Sequence, residues 1–83
     1  MKEEQQYLIR QRMKSIRTEM GWRNKDVARV LGCTSSSVKN KFNGSANWTL
    51  DDVYMVSLET GYSLDYICGR IDQKFLDTTD AKK

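Results

Sequence analysis

The chain has 83 residues, of which 39% are hydrophobic and 30% charged, and it contains 14 Lys and Arg, 11 Asp and Glu and no histidine. This length allows one domain with a small core, and the hydrophobic content argues against disorder of the whole chain. The longest aliphatic or aromatic run, VYMV at 53–56, excludes a transmembrane helix, and the charged N-terminus lacks the apolar stretch of a signal peptide. We therefore expect a cytoplasmic protein in which Cys33 and Cys68 are reduced thiols.

The sequence lacks the usual features of enzymes and metal sites. Histidine, the commonest general base and metal ligand, is absent, and the two cysteines do not have a metal-ligand spacing. There is no Gly-rich phosphate loop or hydrolase motif, and no carboxylate stands in an apolar stretch beside a catalytic partner. We expect no enzymatic activity, no metal or other cofactor, and no small-molecule ligand.

Charge is distributed unevenly along the chain. Residues 1–44 hold ten Lys and Arg against four Asp and Glu, a net charge of +6, whereas residues 45–83 hold four against seven, a net charge of −3. This asymmetry favours contact between the first half and an anionic polymer or surface. The alternative is that Arg10, Arg12, Lys14 and Arg17 form only the solvated face of a helix.

Hydrophobic spacing predicts two helices in the first 32 residues. The first spans about residues 4–20 and ends at Gly21, and the second runs roughly from Asn24 to Leu31 and ends at Gly32. The residues expected to face inward are Ile9, Met13, Ile16 and Met20 in the first helix and Val27, Ala28 and Leu31 in the second.

Capping residues predict three further helices. Thr34 begins a third that ends at residues 43–44, the acidic capping box at 49–52 begins a fourth that ends at Gly61, and Ser63 begins a fifth that stops near Gly69. No alternating run indicates a strand, so the predicted fold class is all-α, a compact five-helix bundle. The inward residues expected here are Val38 and Phe42 in the third helix and Leu64 and Ile67 in the fifth.

The second and third predicted helices are joined only by residues 32–34. A turn of this length with a glycine makes the third helix cross the second steeply, and Ala28 supplies the small side chain that a close crossing needs. Anchoring the third helix through Val38 and Phe42 leaves a polar outer face whose hydroxyl, amide and ammonium groups can bond base edges in the DNA major groove. The alternative is an ordinary polar surface. The face consists of Ser35, Ser36, Lys39 and Asn40.

Residues 24–43 resemble the helix-turn-helix unit of the phage repressor and Cro family, also called the XRE family. Ala28, Gly32 and Val38 match the small residue, turn glycine and branched apolar residue of that unit. The sequences FNG at 42–44 and GYSLDYICG at 61–69 are also similar to family motifs, and the resemblance covers roughly residues 9–69. It implies a lambda-repressor-like DNA-binding domain at 1–69, followed by a partly apolar tail at 70–83, in a phage or bacterial transcriptional regulator.

The resemblance also implies roles for individual residues. Ser35, Ser36, Lys39 and Asn40 would contact bases, and phosphates would be contacted by Arg23, Asn24, Ser37, Lys41, Asn43 and Gly44.

Three departures from the family pattern matter. Ser35 and Ser36 are short where relatives often carry Gln, so water and DNA shape are expected to contribute more to recognition. Lys41 occupies a slot that is usually apolar, so either the third helix sits differently or the Lys stem covers the core with its amine toward phosphate. Phe42 replaces a Glu that many members pair with an arginine at the position of Arg17, which leaves Arg17 for another carboxylate or for DNA.

Members of this family commonly bind palindromic operators as dimers. We expect a weak homodimer through the fifth helix and residues 70–76, and the alternative is that this segment folds back to cover the monomer. Trp22 is expected in the core, whereas Trp48 packs either on the fourth helix or on the DNA backbone. The dimerisation candidates are Met55, Leu58, Tyr66, Ile71, Phe75 and Leu76.

A second functional class also fits the sequence. A protein-interaction module, such as an antirepressor or antitoxin, could use the same bundle to hold another protein. Such a module would be expected to present an apolar face on the third helix, whereas the predicted face is polar.

Overall fold

Five helices form the part of the chain that the computed structural model describes, residues 3–75. They are α1 (Glu3–Met20), α2 (Asn24–Leu31), α3 (Ser35–Asn43), α4 (Leu50–Thr60) and α5 (Leu64–Ile67). Residues 3–75 contain no strand. The all-α prediction and the number of helices are confirmed, and the helix limits fall close to those expected.

Side-chain caps fix the starts of the later helices. Thr34 accepts a hydrogen bond from the Ser37 N–H at 3.1 Å, and Ser63 accepts one from the Tyr66 N–H at 3.1 Å. At α4 the Thr49 hydroxyl accepts from the Asp52 N–H, and the Asp52 carboxylate accepts from the Thr49 N–H. These bonds satisfy N–H groups that have no partner within their own helix, and they confirm the predicted caps.

The core lies where all five helices meet. Trp22 and Leu31, expected inside, are only partly buried against it, and Val30 is buried although it was not predicted. Met20 and Leu64 are exposed, contrary to prediction, because each stands at the end of its helix, where coverage by neighbouring elements is incomplete. The fully buried side chains include Ile9, Met13, Ile16, Val27, Val38, Val53, Val56 and Ile67.

Trp48 anchors the loop between α3 and α4 to α1. Its ring is 2% exposed and meets Phe42 edge to face, with centroids 5.1 Å apart. The buried side chain of Gln6 donates to the Trp48 carbonyl at 2.8 Å and accepts from its N–H at 2.6 Å. Trp48 is therefore a core residue, and the alternative in which it lies on the DNA backbone is wrong.

Residues 70–75 fold back onto the bundle. The Ser63 N–H donates to the Lys74 carbonyl at 2.6 Å, and Lys74 Nζ donates to Glu19 at 2.9 Å. Arg12 donates to the carbonyl of Ile71 at 2.9 Å, and Phe75 meets Tyr62 edge to face at 5.4 Å. For this segment, the structure agrees with the alternative in which it covers the monomer.

Candidate nucleic-acid interface

The turn between α2 and α3 is three residues long, and the two helices pack against each other. Gly32 adopts a left-handed conformation with φ 73°, which a residue with a side chain rarely adopts, and its N–H donates to the Ala28 carbonyl at 2.8 Å. The same carbonyl accepts from the Cys33 N–H at 3.0 Å. Val27, Ala28 and Val38 are buried along the contact, so α3 is held firmly with one face turned outward.

The four predicted base-contacting residues lie together on this outer face of α3. Ser35, Ser36, Lys39 and Asn40 are all exposed. Within residues 3–75 their side chains form no hydrogen bond or ion pair, so their donors and acceptors are available to a ligand. The sequence pattern thus predicted a contiguous polar face, and the structure brings its members together.

Lys41 does not belong to this free set. Its amine donates to the Asp52 carboxylate and, at 3.1 Å, to the Asn47 carbonyl, and the Lys41 and Asp52 side chains are only 12% and 11% exposed. The expectation that Lys41 directs its amine toward phosphate is therefore wrong. The stem does lie near the core, with the amine 5.8 Å from the centre of the Trp48 ring.

Arg17 joins α1 to the start of α2 and to the end of α3. Its guanidinium lies over the Phe42 ring at 4.0 Å and donates to Asn24 Oδ1 at 2.8 Å. Phe42 thus keeps the arginine in place by a cation–π contact, although it cannot form an ion pair with it. Because the carbonyl oxygen of the Asn24 amide is occupied, its NH₂ group is left as the free donor at the start of α2.

The other predicted phosphate-contacting residues differ in which of their polar groups already form hydrogen bonds within the protein. Arg23 is exposed, and its backbone N–H is capped by Asp26 at 2.9 Å. Asn43 uses Oδ1 to accept from the Ser45 N–H at 2.8 Å, so its NH₂ group is free. The Ser37 hydroxyl, half-buried, accepts from the Thr34 hydroxyl at 3.1 Å. Gly44 is exposed and left-handed, with φ 89°.

Unpaired positive charge is concentrated in the first half of the chain. Four cations of the described residues form ion pairs, namely Arg12, Lys41, Arg70 and Lys74. Among residues 3–75, the cations without an ion pair all lie between positions 10 and 39. They are Arg10, Lys14, Arg17, Arg23, Lys25, Arg29 and Lys39.

Comparison with known proteins identifies one family. The sequence model of the BetR domain matches residues 4–82, which is nearly the whole chain. The chain belongs to the BetR domain family. No curated protein and no solved structure matches it. The BetR match does not confirm the resemblance to the phage repressor and Cro family.

Three further findings concern membrane spans, metal sites and the cysteines of this BetR domain. Within residues 3–75 no helix is both long and apolar enough to cross a membrane, and no cluster of His, Cys, Asp and Glu is placed to hold a metal ion. Cys33 and Cys68 are free and partly buried, and burial raises the pKa of the Cys68 thiol.

The dimerisation candidates of the BetR domain differ in how exposed they are. Met55, Leu58 and Phe75 are exposed, and Ile71 is half-buried. Tyr66 is only 4% exposed because Arg12 lies over its ring at 4.2 Å, so the expectation that it adds apolar surface outside the core is wrong. Leu76 lies outside the described residues.

Proposed function

We propose that this BetR domain is a sequence-specific double-stranded DNA-binding protein that regulates transcription, with repression as the expected result of operator binding. In this proposal α2 and α3 form a helix-turn-helix of the lambda-repressor type, and α3 enters the major groove. The observation that carries the proposal is the outer face of α3, where exposed polar side chains have no partner within residues 3–75. Such a face is poorly suited to an apolar partner and well suited to base edges.

The proposed contacts fall into two kinds. Asn40 can bond adenine through the oxygen and the nitrogen of its side-chain amide, Lys39 can reach guanine acceptors, and the hydroxyls of Ser35 and Ser36 can bond several bases. Around them, phosphates would be bound by Arg23 and by the free NH₂ groups of Asn24 and Asn43, next to Gly44. The phosphate contacts position the protein, and the base contacts specify the sequence.

Dimerisation belongs to the same proposal. One α3 reads few base pairs, and helix-turn-helix proteins gain specificity by binding two half-sites about one helical turn apart. We propose a weak homodimer on a palindromic operator, formed through the exposed apolar residues Met55, Leu58 and Phe75. The Phe75 ring is 54% exposed even though it contacts Tyr62, so it has surface left for a second copy.

Selection of binding sites from random duplex DNA tests the proposed function. The chain should enrich a single site with dyad symmetry, and the Asn40→Ala variant should enrich a more degenerate site of the same spacing. Enrichment of no sequence at all would reject sequence-specific binding.

A protein-interaction module is the second candidate, and the apolar surface around Leu58, Leu64 and Phe75 favours it. These residues lie on α4, α5 and the folded-back segment, and Leu64 and Phe75 line a groove together with Tyr62 and Ser63. The two candidates differ in the salt dependence of binding. Binding to DNA weakens steeply with salt because counterions are released, whereas binding of an apolar partner does not.

A further inference from the structure

Arg10 lies across the C-terminal end of α3. A Cβ atom built on Gly44 would stand 3.4 Å from Arg10 Nη2 and 3.6 Å from Cζ, so the guanidinium packs against this glycine. Gly44 adopts φ +89°, which disfavours any side chain, and its lack of a Cβ also leaves room for the arginine. Arg10 therefore adjoins the backbone at 43–44, where a phosphate contact is proposed.

The guanidinium of Arg10 is unsatisfied within residues 3–75. Its Nε atom is buried without a hydrogen-bond partner, and the side chain forms no ion pair. Arg12, two residues further along the same helix, is fully engaged: it donates to the carbonyls of Tyr66 and Ile71 and to Asp72. The fold satisfies one arginine with three acceptors and holds the other in place without any.

Arg10 also stands at one end of a row of unpaired cations. Lys14 and Arg17 follow it at four and seven residues, which places all three along one side of α1. Arg17 contacts Phe42 of α3 and Asn24 of α2, and Arg10 contacts Gly44, so this side of α1 adjoins both proposed groups of phosphate contacts.

We propose that Arg10 binds a DNA phosphate at the C-terminal end of α3, with Gly44 providing the space in which the guanidinium lies. A guanidinium presents parallel N–H donors that match the geometry of two phosphate oxygens. This contact extends the DNA-binding surface from α2 and α3 onto α1. It rests on the proposed function.

The competing explanation is that Arg10 only stabilises α3, because a cation at the C-terminal end of a helix interacts favourably with the helix dipole. This explanation predicts that loss of Arg10 lowers the melting temperature. Only the phosphate contact predicts a change in the salt dependence of DNA binding.

Fluorescence anisotropy of the whole chain with a random-sequence duplex, measured over a series of salt concentrations, separates the two. Arg10→Gln should reduce the slope of log K against log salt by about 1. The control is Arg70→Gln, which removes the same charge from an exposed ion pair with Asp65 and should leave the slope unchanged. If the wild type binds the duplex and Arg10→Gln has the same slope as the wild type, Arg10 makes no phosphate contact, and the proposed function still stands. Wild-type protein that binds no duplex would instead reject the proposed function.

A second measurement follows the wild-type protein and does not depend on Arg10→Gln folding. The Arg10 Nε–H resonance of the wild type, identified by its loss in Arg10→Lys, should move when duplex is added, whereas the Arg70 Nε–H resonance should not. If the Arg10 Nε–H resonance does not move while the backbone resonances of α3 do, DNA binds without Arg10 and the proposal is wrong.

Discussion

Lys41 of α3 and Asp52 of α4 form a largely buried ion pair that closes the loop between the two helices. The same carboxylate caps α4 by accepting from the Thr49 N–H at 2.9 Å, and the lysine amine also donates to the Asn47 carbonyl. One pair of charges therefore fixes the end of α3, the loop and the start of α4. Lys41 belongs to the framework that holds α3, although its sequence neighbours suggest a DNA contact.

Replacing Lys41 should reduce stability without altering DNA contacts. In Lys41→Met the Asp52 carboxylate loses its charged partner while it remains mostly buried, and the free energy of unfolding should fall by about 2 kcal/mol. Urea denaturation measures this change. Lys39→Met is the matched control: Lys39 is exposed without a partner among residues 3–75, so its loss should change stability by less than about 0.5 kcal/mol. Equal stability losses in the two variants would contradict the structural role of Lys41.

Asn40 should contribute to sequence recognition and little to general affinity for DNA. Asn40→Ala is expected to weaken binding to the selected site by about 1–3 kcal/mol, because an amide that bonds a base is lost. Binding to random duplex should hardly change. Anisotropy with both duplexes at one salt concentration measures the difference, and an equal loss on both would reassign Asn40 to a phosphate.

The ion pair between Glu19 and Lys74 should make stability depend on pH. The hydrogen bond from Lys74 lowers the pKa of Glu19 below its ordinary value of 4.5. The Glu19 carboxylate therefore binds a proton less readily in the folded chain than in the unfolded chain, and the ion pair stabilises the fold above pH 4.5. This contribution is lost as the pH falls through 4.5 and then through the lower pKa of Glu19 in the folded chain.

Thermal melts of Glu19→Gln between pH 7 and pH 3 test this expectation. The variant should melt below the wild type at pH 7, and the difference should shrink in acid. Glu59→Gln is the control, because it removes an exposed carboxylate with no partner among residues 3–75 and should melt close to the wild type at pH 7. A constant difference for Glu19→Gln across the range would show that this charge does not hold residues 70–75 on the bundle.

Leu58 should contribute to dimerisation if the exposed surface of α4 meets a second copy. Its side chain is 62% exposed, and Leu58→Gln should raise the dimer dissociation constant by about tenfold, the equivalent of about 1.4 kcal/mol. Sedimentation with and without the selected DNA site measures this. Leu50→Gln is the control, since Leu50 is 63% exposed at the other end of α4. A wild type that binds the whole site as one monomer would rule out the dimer.

Local sequence signals predicted most of the fold. Thr34, Thr49 and Ser63 mark helix starts by side chains that satisfy nearby backbone N–H groups, and this chemistry acts over only three residues. Helical spacing likewise placed Ile9, Met13 and Ile16 in the core, because every turn of α1 at those positions meets a neighbouring element.

The features that escaped prediction are long-range contacts of polar groups. Gln6 is buried because both ends of its amide meet the Trp48 backbone, 42 positions away. The partners of Arg12 and Lys41 were hidden for the same reason, since no local pattern distinguishes a lysine that faces solvent from one that meets an aspartate on the next helix. On the α3 face, by contrast, exposure follows directly from the positions of Val38 and Phe42, so the candidate site could be predicted.

The salt dependence of wild-type binding to a random-sequence duplex tests the central claim most directly. If this BetR domain binds DNA through α3 and the unpaired cations around it, raising the salt from about 50 to about 200 mM should weaken binding on the order of 100-fold, as expected for about four phosphate contacts. No detectable binding at the lower salt, or an affinity that does not change with salt, would contradict the claim.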